Sequence, residues 1–150
     1  HFFYDEIQNA VDTKIINIIK ETVLHIRNSL PDAKKVGILA TKGTLVSGAY
    51  QNMLEKYGLD FAVPDEADTE KLMEIIYEQV KAGKSVDIEA FWRIINNLKK
   101  SGCDCVVLGC TELSVIYRDY SIADETIVDS LLTLAKKSIE LCGKKIKTKN

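Results

Sequence analysis

The sequence predicts an α/β fold: a parallel sheet flanked by helices on both faces. Three observations predict it. Short apolar or β-branched runs alternate with longer stretches of 3.6-residue periodicity, as strands joined by helical crossovers require. One run, 104–109 (DCVVLG), is apolar on both faces and suits a strand buried within such a sheet. The chain of 150 residues is 46% hydrophobic and 28% charged, ordinary for a globular domain large enough to bury a core.

The elements follow in order. Phe3, Ile7 and Ala10 recur at helical spacing and predict a first helix. Residues 15–19 (IINII) are rich in β-branched side chains and read as a first strand. Residues 35–41 (KVGILAT) read as a second. Val46, Ala49, Tyr50, Met53 and Tyr57 form the apolar stripe of one helix. Residues 60–63 (DFAV), closed by Pro64, are a third strand. Leu72, Ile75, Ile76 and Val80 mark another helix. Phe91, Ile94, Ile95 and Leu98 mark a further one, with Asp87 placed to cap its start. After the 104–109 strand comes a short helix over 112–117, a weak fifth strand at 126–128, and a last stripe of Leu131, Leu132, Ala135, Ile139 and Cys142. The lysine-rich tail, 144–150, reads as a solvated terminus.

Charge narrows the function classes. Twenty Lys and Arg against 22 Asp and Glu leave a net charge of −2, which gives no basis for binding nucleic acid or anionic lipid. No apolar run approaches the roughly 20 residues that cross a bilayer. The chain opens His1-Phe2-Phe3-Tyr4, without Met and without the charged and apolar regions of a signal peptide. The four cysteines are too sparse for a disulfide scaffold and read as reduced thiols of a cytoplasmic protein.

In parallel sheets ligands bind beyond the carboxyl ends of the strands, so the strand-to-helix turns matter most. One is Thr41-Lys42-Gly43-Thr44. Gly43 permits close backbone approach, and Thr41 and Thr44 set hydroxyls beside the free N–H groups of a helix start. The turn fits a carboxylate or phosphate site, or a plain helix start capped by Thr44, and both readings stay open. It matches neither the Walker A pattern nor GxGxxG. The other turn is Gly109-Cys110-Thr111-Glu112. There Cys110 stands at the start of a helix, where the dipole is expected to lower a thiol pKa. Cys103 and Cys105, two residues apart on one face, and Cys142 read as core. Their spacing with Cys110 does not suit a metal site. His25, on an amphipathic helix, and Trp92 read as structural.

The segments Val36-Gly37-Ile38-Leu39-Ala40-Thr41-Lys42-Gly43-Thr44, Ser47-Gly48-Ala49-Tyr50 and Val107-Leu108-Gly109-Cys110-Thr111-Glu112-Leu113 resemble the aspartate/glutamate racemase family, over nearly the whole chain. The aspartate and broad-specificity branch is the closer match, since glutamate racemases usually carry His where Glu112 stands. The resemblance implies two α/β halves facing one another, with neither pyridoxal phosphate nor metal. Two cysteines on opposite faces of the substrate move the α-proton. It implies that Cys110 is one of them. Thr41, Gly43 and Thr44 would hold a carboxylate, Thr111 and Glu112 would contact the substrate, and Lys81 would face its side-chain carboxylate.

The family's first cysteine lies in a Cys-Asn-Thr motif, and this chain begins with residues resembling those just after it. The expectation is therefore one complete Rossmann-like half with remnants of the other. Residues 1–34 would be the end of the first domain, 35–125 the second, and 126–150 a segment returning to the first. The expected function is cofactor-independent racemisation of a small amino acid, most of all aspartate, reduced by the missing cysteine. Glutamate or another small acid, or carboxylate binding without turnover, are the alternatives. Unpaired apolar helix faces lead us to expect a homodimer.

Overall fold

A computed structural model describes residues 3–146; His1, Phe2 and the last four residues of the lysine-rich tail lie outside the described residues. Four parallel strands form one sheet: β1 (Lys35–Leu39), β2 (Asp60–Ala62), β3 (Cys105–Leu108) and β4 (Ile127–Asp129), in the order β2-β1-β3-β4. Val36 pairs with Cys105 and Leu39 with Leu108, so β1 and β3 lie side by side at the centre.

Eight α-helices and one π-helix are described: α1 (Tyr4–Ala10), α2 (Ile18–Ser29), α3 (Lys42–Val46), α4 (Ala49–Lys56), α5 (Glu66–Glu74), the π-helix Ile75–Val80, α6 (Ile88–Lys100), α7 (Thr111–Asp119) and α8 (Ser130–Leu141). They divide between the sheet's two faces. Leu72, Ile75, Ile76, Phe91, Ile94, Ile95, Leu113 and Ile116 pack on Leu39, Val106 and Leu108. Ile19, Val23, Ile26, Tyr50 and Leu54 pack on Val36, Ile38, Cys105, Val107 and Val128. The alternation of side chains along β1 and β3 feeds both cores, which is why these strands are apolar throughout.

Asp87 caps α6 by accepting from Ala90 N at 3.0 Å, and Phe91, Ile94, Ile95 and Leu98 are all buried, as their spacing predicts. Gly37 has a packing role: a Cβ there would stand 3.0 Å from Leu98 Cδ1 and 3.2 Å from Val106 Cγ2. The missing side chain lets α6 lie close on the central strand.

Five expectations are corrected. The strand read at 15–19 is absent: Asn17 accepts from Ile19 N and Lys20 N and starts α2, whose Ile19, Val23 and Ile26 are buried at helical spacing. The helix read over 46–57 is two helices, broken at Gly48, whose φ of 67° suits only glycine readily. Val46 leaves the apolar stripe and is 88% exposed. The stripe over 72–80 continues from α5 as a π-helix, with Lys81 N bonded to Ile76 O at 3.0 Å. The stripe of α8 faces outward: Leu131, Leu132, Ala135, Ile139 and Cys142 are exposed, while Ser130 and Thr133 face the protein. Last, Cys103 and Cys105 do not share a face. Both are buried, but Cys103 precedes β3 and so escapes its alternation; each joins a different core.

Candidate functional site

The connection leaving β1 runs over one face of the sheet, through Tyr50 and Leu54 of α4. The connection leaving β3 runs over the other, through Leu113 and Ile116 of α7. Neighbouring strands whose connections diverge in this way leave a crevice beyond their carboxyl ends, the switch point where open parallel sheets bind ligands. A groove of about 730 Å³ occupies that place. Gly43 and Thr44 line it from the β1 turn, Gly109, Cys110 and Thr111 from the β3 turn, and Tyr50 and Ser130 from beneath.

The β1 turn is built by Thr41. It is the N-cap of α3, its Oγ1 accepting from Thr44 N at 3.4 Å and lying 3.1 Å from Thr44 Oγ1. The capping residue is thus Thr41 and not Thr44, because the helix begins at Lys42. A Cβ on Gly43 would meet nothing within 4 Å, so its exposed backbone is open to the groove.

Cys110 is the N-cap residue of α7 and is partly buried. Burial pushes its thiol up to about 12. The backbone N–H groups of Leu113 and Glu112 pull downward, without closing a capping hydrogen bond, and the Glu112 carboxylate beside the thiol pushes further up. The lowered pKa expected from the helix start is therefore corrected: desolvation and a neighbouring carboxylate outweigh the dipole. Around neutral pH the sulfur carries its proton and interacts with Glu112.

Glu112 gathers three groups. Its Oε2 accepts from Thr111 Oγ1 at 3.3 Å, its Oε1 lies 3.5 Å from Lys81 Nζ, and Cys110 stands at its side. Burial raises the Glu112 pKa. Its own N–H, the thiol, Lys81 and Thr111 outweigh that, and the net direction is down. Lys81 is carried to this place by the π-helix, its ammonium 4.6 Å from the centre of the Tyr77 ring. Such a six-residue π-turn is unusual and displaces the following residues relative to an α-helix.

The sheet end therefore brings together Thr41, Gly43, Thr44, Cys110, Thr111, Glu112 and Lys81 along two turns and one helix end, although Thr41, Glu112 and Lys81 do not line the groove itself. Sequence reasoning missed Tyr50 and Ser130. The sequence points to Tyr50 only as part of an apolar stripe and of one family-like segment, with no role in the site, and no local signal marks Ser130, which donates to Leu108 O at 2.6 Å. Asp129 caps α8 and accepts from Ser114 Oγ at 2.5 Å, tying α7 to the edge strand. His25 is bonded to Ser29 Oγ at 3.3 Å and does not line the groove, although Ile18 and Ile19 at the start of the same helix do. Among the described residues no helix is long and apolar enough to cross a membrane, and no three His, Cys, Asp or Glu side chains converge to hold a metal ion.

The chain and its fold are similar to those of known proteins. A Pectobacterium carotovorum protein, described only by its position in the pnlA 3′ region, is 30% identical over 143 residues, covering 92% of this chain and 91% of its own. The broad specificity amino-acid racemase RacX of Bacillus subtilis is 26% identical over 93% of this chain and 59% of its own length. The crystal structure of an aspartate racemase homologue from Pyrococcus horikoshii superposes with a TM-score of 0.81 at 30% identity, covering 96% of this chain and 63% of that one. The chain thus spans about three fifths of the length of RacX and of the Pyrococcus protein. The family model for Asp/Glu/hydantoin racemases matches residues 1–137, a span that includes both turns of the groove, and the chain belongs to that family.

Proposed function

We propose that the groove binds a small acidic amino acid, aspartate foremost, and that Cys110 exchanges a proton with its α-carbon as one acid/base of a cofactor-independent racemisation. The observation that carries this reading is the convergence of a single thiol and a hydroxyl-rich helix start on one groove at the switch point. The Thr41, Gly43 and Thr44 turn would receive the α-carboxylate through hydroxyls and backbone N–H groups. Glu112, with Thr111, would receive the ammonium. Lys81, paired with Glu112 in the free site, would receive the side-chain carboxylate.

An α-proton beside a carboxylate is a very weak acid, so the developing charge needs fixed donors and shelter from water. A sulfur that rests protonated is suited to hand its proton to the carbanion. In the complete reaction a thiolate on the opposite face breaks the C–H bond and takes the proton. Cys110 then gives its own proton to carbon from its side. Among the described residues no other cysteine lines the groove; Cys103 and Cys105 are buried and Cys142 lies exposed at the end of α8. Racemisation accordingly needs a second acid/base beyond the groove's described walls. Cys110 alone, as thiolate, would take and return the proton on one face, exchanging it with solvent and keeping the configuration.

The test is deuterium incorporation at Cα of L- and D-aspartate in heavy water, with glutamate in parallel. Exchange of one enantiomer, abolished by Cys110→Ala, is expected. Exchange that survives C110A overturns the role of Cys110. Binding of carboxylates without exchange favours a binding module. The homodimer expected from sequence finds support in Phe3, Ile7, Leu131 and Leu132, all exposed on α1 and α8 or beside them, and light scattering reads the mass.

A further inference from the structure

Gly109 precedes the thiol, and its φ is not positive, so its backbone conformation does not call for glycine. Space does. A Cβ at this position would stand 2.9 Å from Tyr50 Cε2, 3.2 Å from Ala40 Cβ and 3.2 Å from Leu39 O. The first contact is closer than real Cβ atoms come, and its partner is the flank of a rigid ring. Gly109 is also pinned to one of these neighbours, its N–H bonded to Leu39 O at 2.7 Å.

Tyr50 is itself held from several directions. It is 2% exposed, yet it lines the groove beside Gly109, Cys110 and Ser130. Its ring lies in the core with Ile19, Val23 and Leu54, and its hydroxyl interacts with the side chains of Thr22 on α2 and Ser130 at the start of α8. Those two hydroxyls are fixed in turn, Thr22 Oγ1 to Ile18 O at 2.7 Å and Ser130 Oγ to Leu108 O at 2.6 Å. Tyr50 also belongs to the first turn of α4, reached from the 41–44 turn through α3.

We infer that Tyr50 is a positioning residue for Cys110: its ring is wedged against Gly109 and fixes where the thiol stands relative to the 41–44 turn. The inference rests on the role proposed for Cys110, and it explains why a glycine with ordinary backbone angles sits there. A Tyr50 that merely filled the core would affect stability and leave the thiol's surroundings as they are.

The experiment reads the thiol directly. Reaction of Cys110 with a small aromatic disulfide is followed against pH in the parent and in Y50F, Y50L, Y50M, G109A and the double variant G109A/Y50L. Buried Cys105 reports on folding, because it stays unreactive wherever the fold survives. G109A, Y50L and Y50M are expected to move the thiol toward water and raise its rate at pH 8 by about three- to fourfold, the roughly tenfold gain in thiolate from one pKa unit less the accompanying loss of nucleophilicity. Y50F keeps the ring and the parent profile. The double variant shows less than the product of the two single changes, since with the ring gone the added Cβ meets only Ala40 and Leu39.

Folded Y50L, Y50M and G109A proteins with the parent's Cys110 profile overturn the inference. Y50M, which keeps much of the volume on a flexible chain, carries the comparison if Y50L loses its fold. Aspartate α-proton exchange is measured on the same proteins. A parent without exchange defeats the racemase reading and leaves the thiol result standing. An active parent with unmoved thiol profiles defeats only the positioning role.

Discussion

The protonation state of Cys110 leads to a quantitative expectation for its reactivity. An ordinary thiol of pKa near 9 is about one-tenth thiolate at pH 8. Cys110, pushed up to about 12 by burial and by the Glu112 carboxylate, has about a thousandfold less. Part of that loss is recovered, because a more basic thiolate is intrinsically more nucleophilic. With a Brønsted slope of about 0.4–0.5, three pKa units return a factor of about 15–30. The net expectation is a reaction with a disulfide reagent at pH 8 about 30–60-fold slower than that of a free cysteine, before any steric hindrance. The rate should climb about tenfold for each pH unit from 7 to 10, with no plateau. The assay is stopped-flow absorbance with the reacted site identified by peptide mass spectrometry, so that exposed Cys142 is counted separately. An inflection near pH 8–9 for Cys110 would refute the reasoning: the helix start would then dominate desolvation, reversing the order of effects described for the site.

Further expectations follow from single contacts. Glu112→Gln removes the negative charge beside the sulfur but not the burial, so Cys110 should react several-fold faster at pH 8 and remain slower than free cysteine, read in the same assay. Lys81→Met should raise the Glu112 pKa, since Lys81 is among the groups holding it down, and should weaken protection of Cys110 by aspartate about two- to fivefold, the range of a partly exposed ion pair. Gly37→Ala should destabilise the fold by about 1–3 kcal/mol through overpacking against Leu98 and Val106, lowering the thermal midpoint. Asp104 Oδ2 accepts from Lys34 N at 2.8 Å and Lys35 N at 2.9 Å, and these N–H groups hold its pKa below the usual value. A carboxylate with a depressed folded-state pKa stabilises above its unfolded pKa, and that contribution is lost as pH falls through the folded one. Asp104→Asn should therefore lower the thermal midpoint at pH 7 and bring it closer to that of the parent near pH 3.

The central strands were readable because burial on both faces leaves a direct compositional trace: Val36–Leu39 and Cys105–Leu108 contain no charge. Asp87 was readable as a cap for the same local reason. The run around Asn17 was misread because four isoleucines resemble a strand, whereas the side-chain cap and the spacing of Ile19, Val23 and Ile26 decide for a helix. The two turns of the site were legible as glycine and hydroxyl punctuation after apolar runs. The thiol's pKa was not, because it depends on how deeply Cys110 is packed and on a carboxylate whose place is fixed by α7. The π-turn that carries Lys81 to Glu112 left no trace in apolar spacing either, since 72, 75, 76 and 80 suit an α-helix equally.

The central pairing also sets the order in which this molecule can assemble. Val36 pairs with Cys105, 69 positions further along the chain, and neither strand neighbour of β1 is reached by a tight turn. The entropy of closing that long loop must be met before the ladder contributes anything, which places the step late and makes it slow relative to helix formation. Until it is complete the 41–44 turn and Cys110 belong to separate, mobile stretches of chain, and the sulfur is an ordinary exposed thiol. The burial that raises the Cys110 pKa is therefore a property of the assembled sheet alone, and in the unfolded chain the thiol has its ordinary pKa.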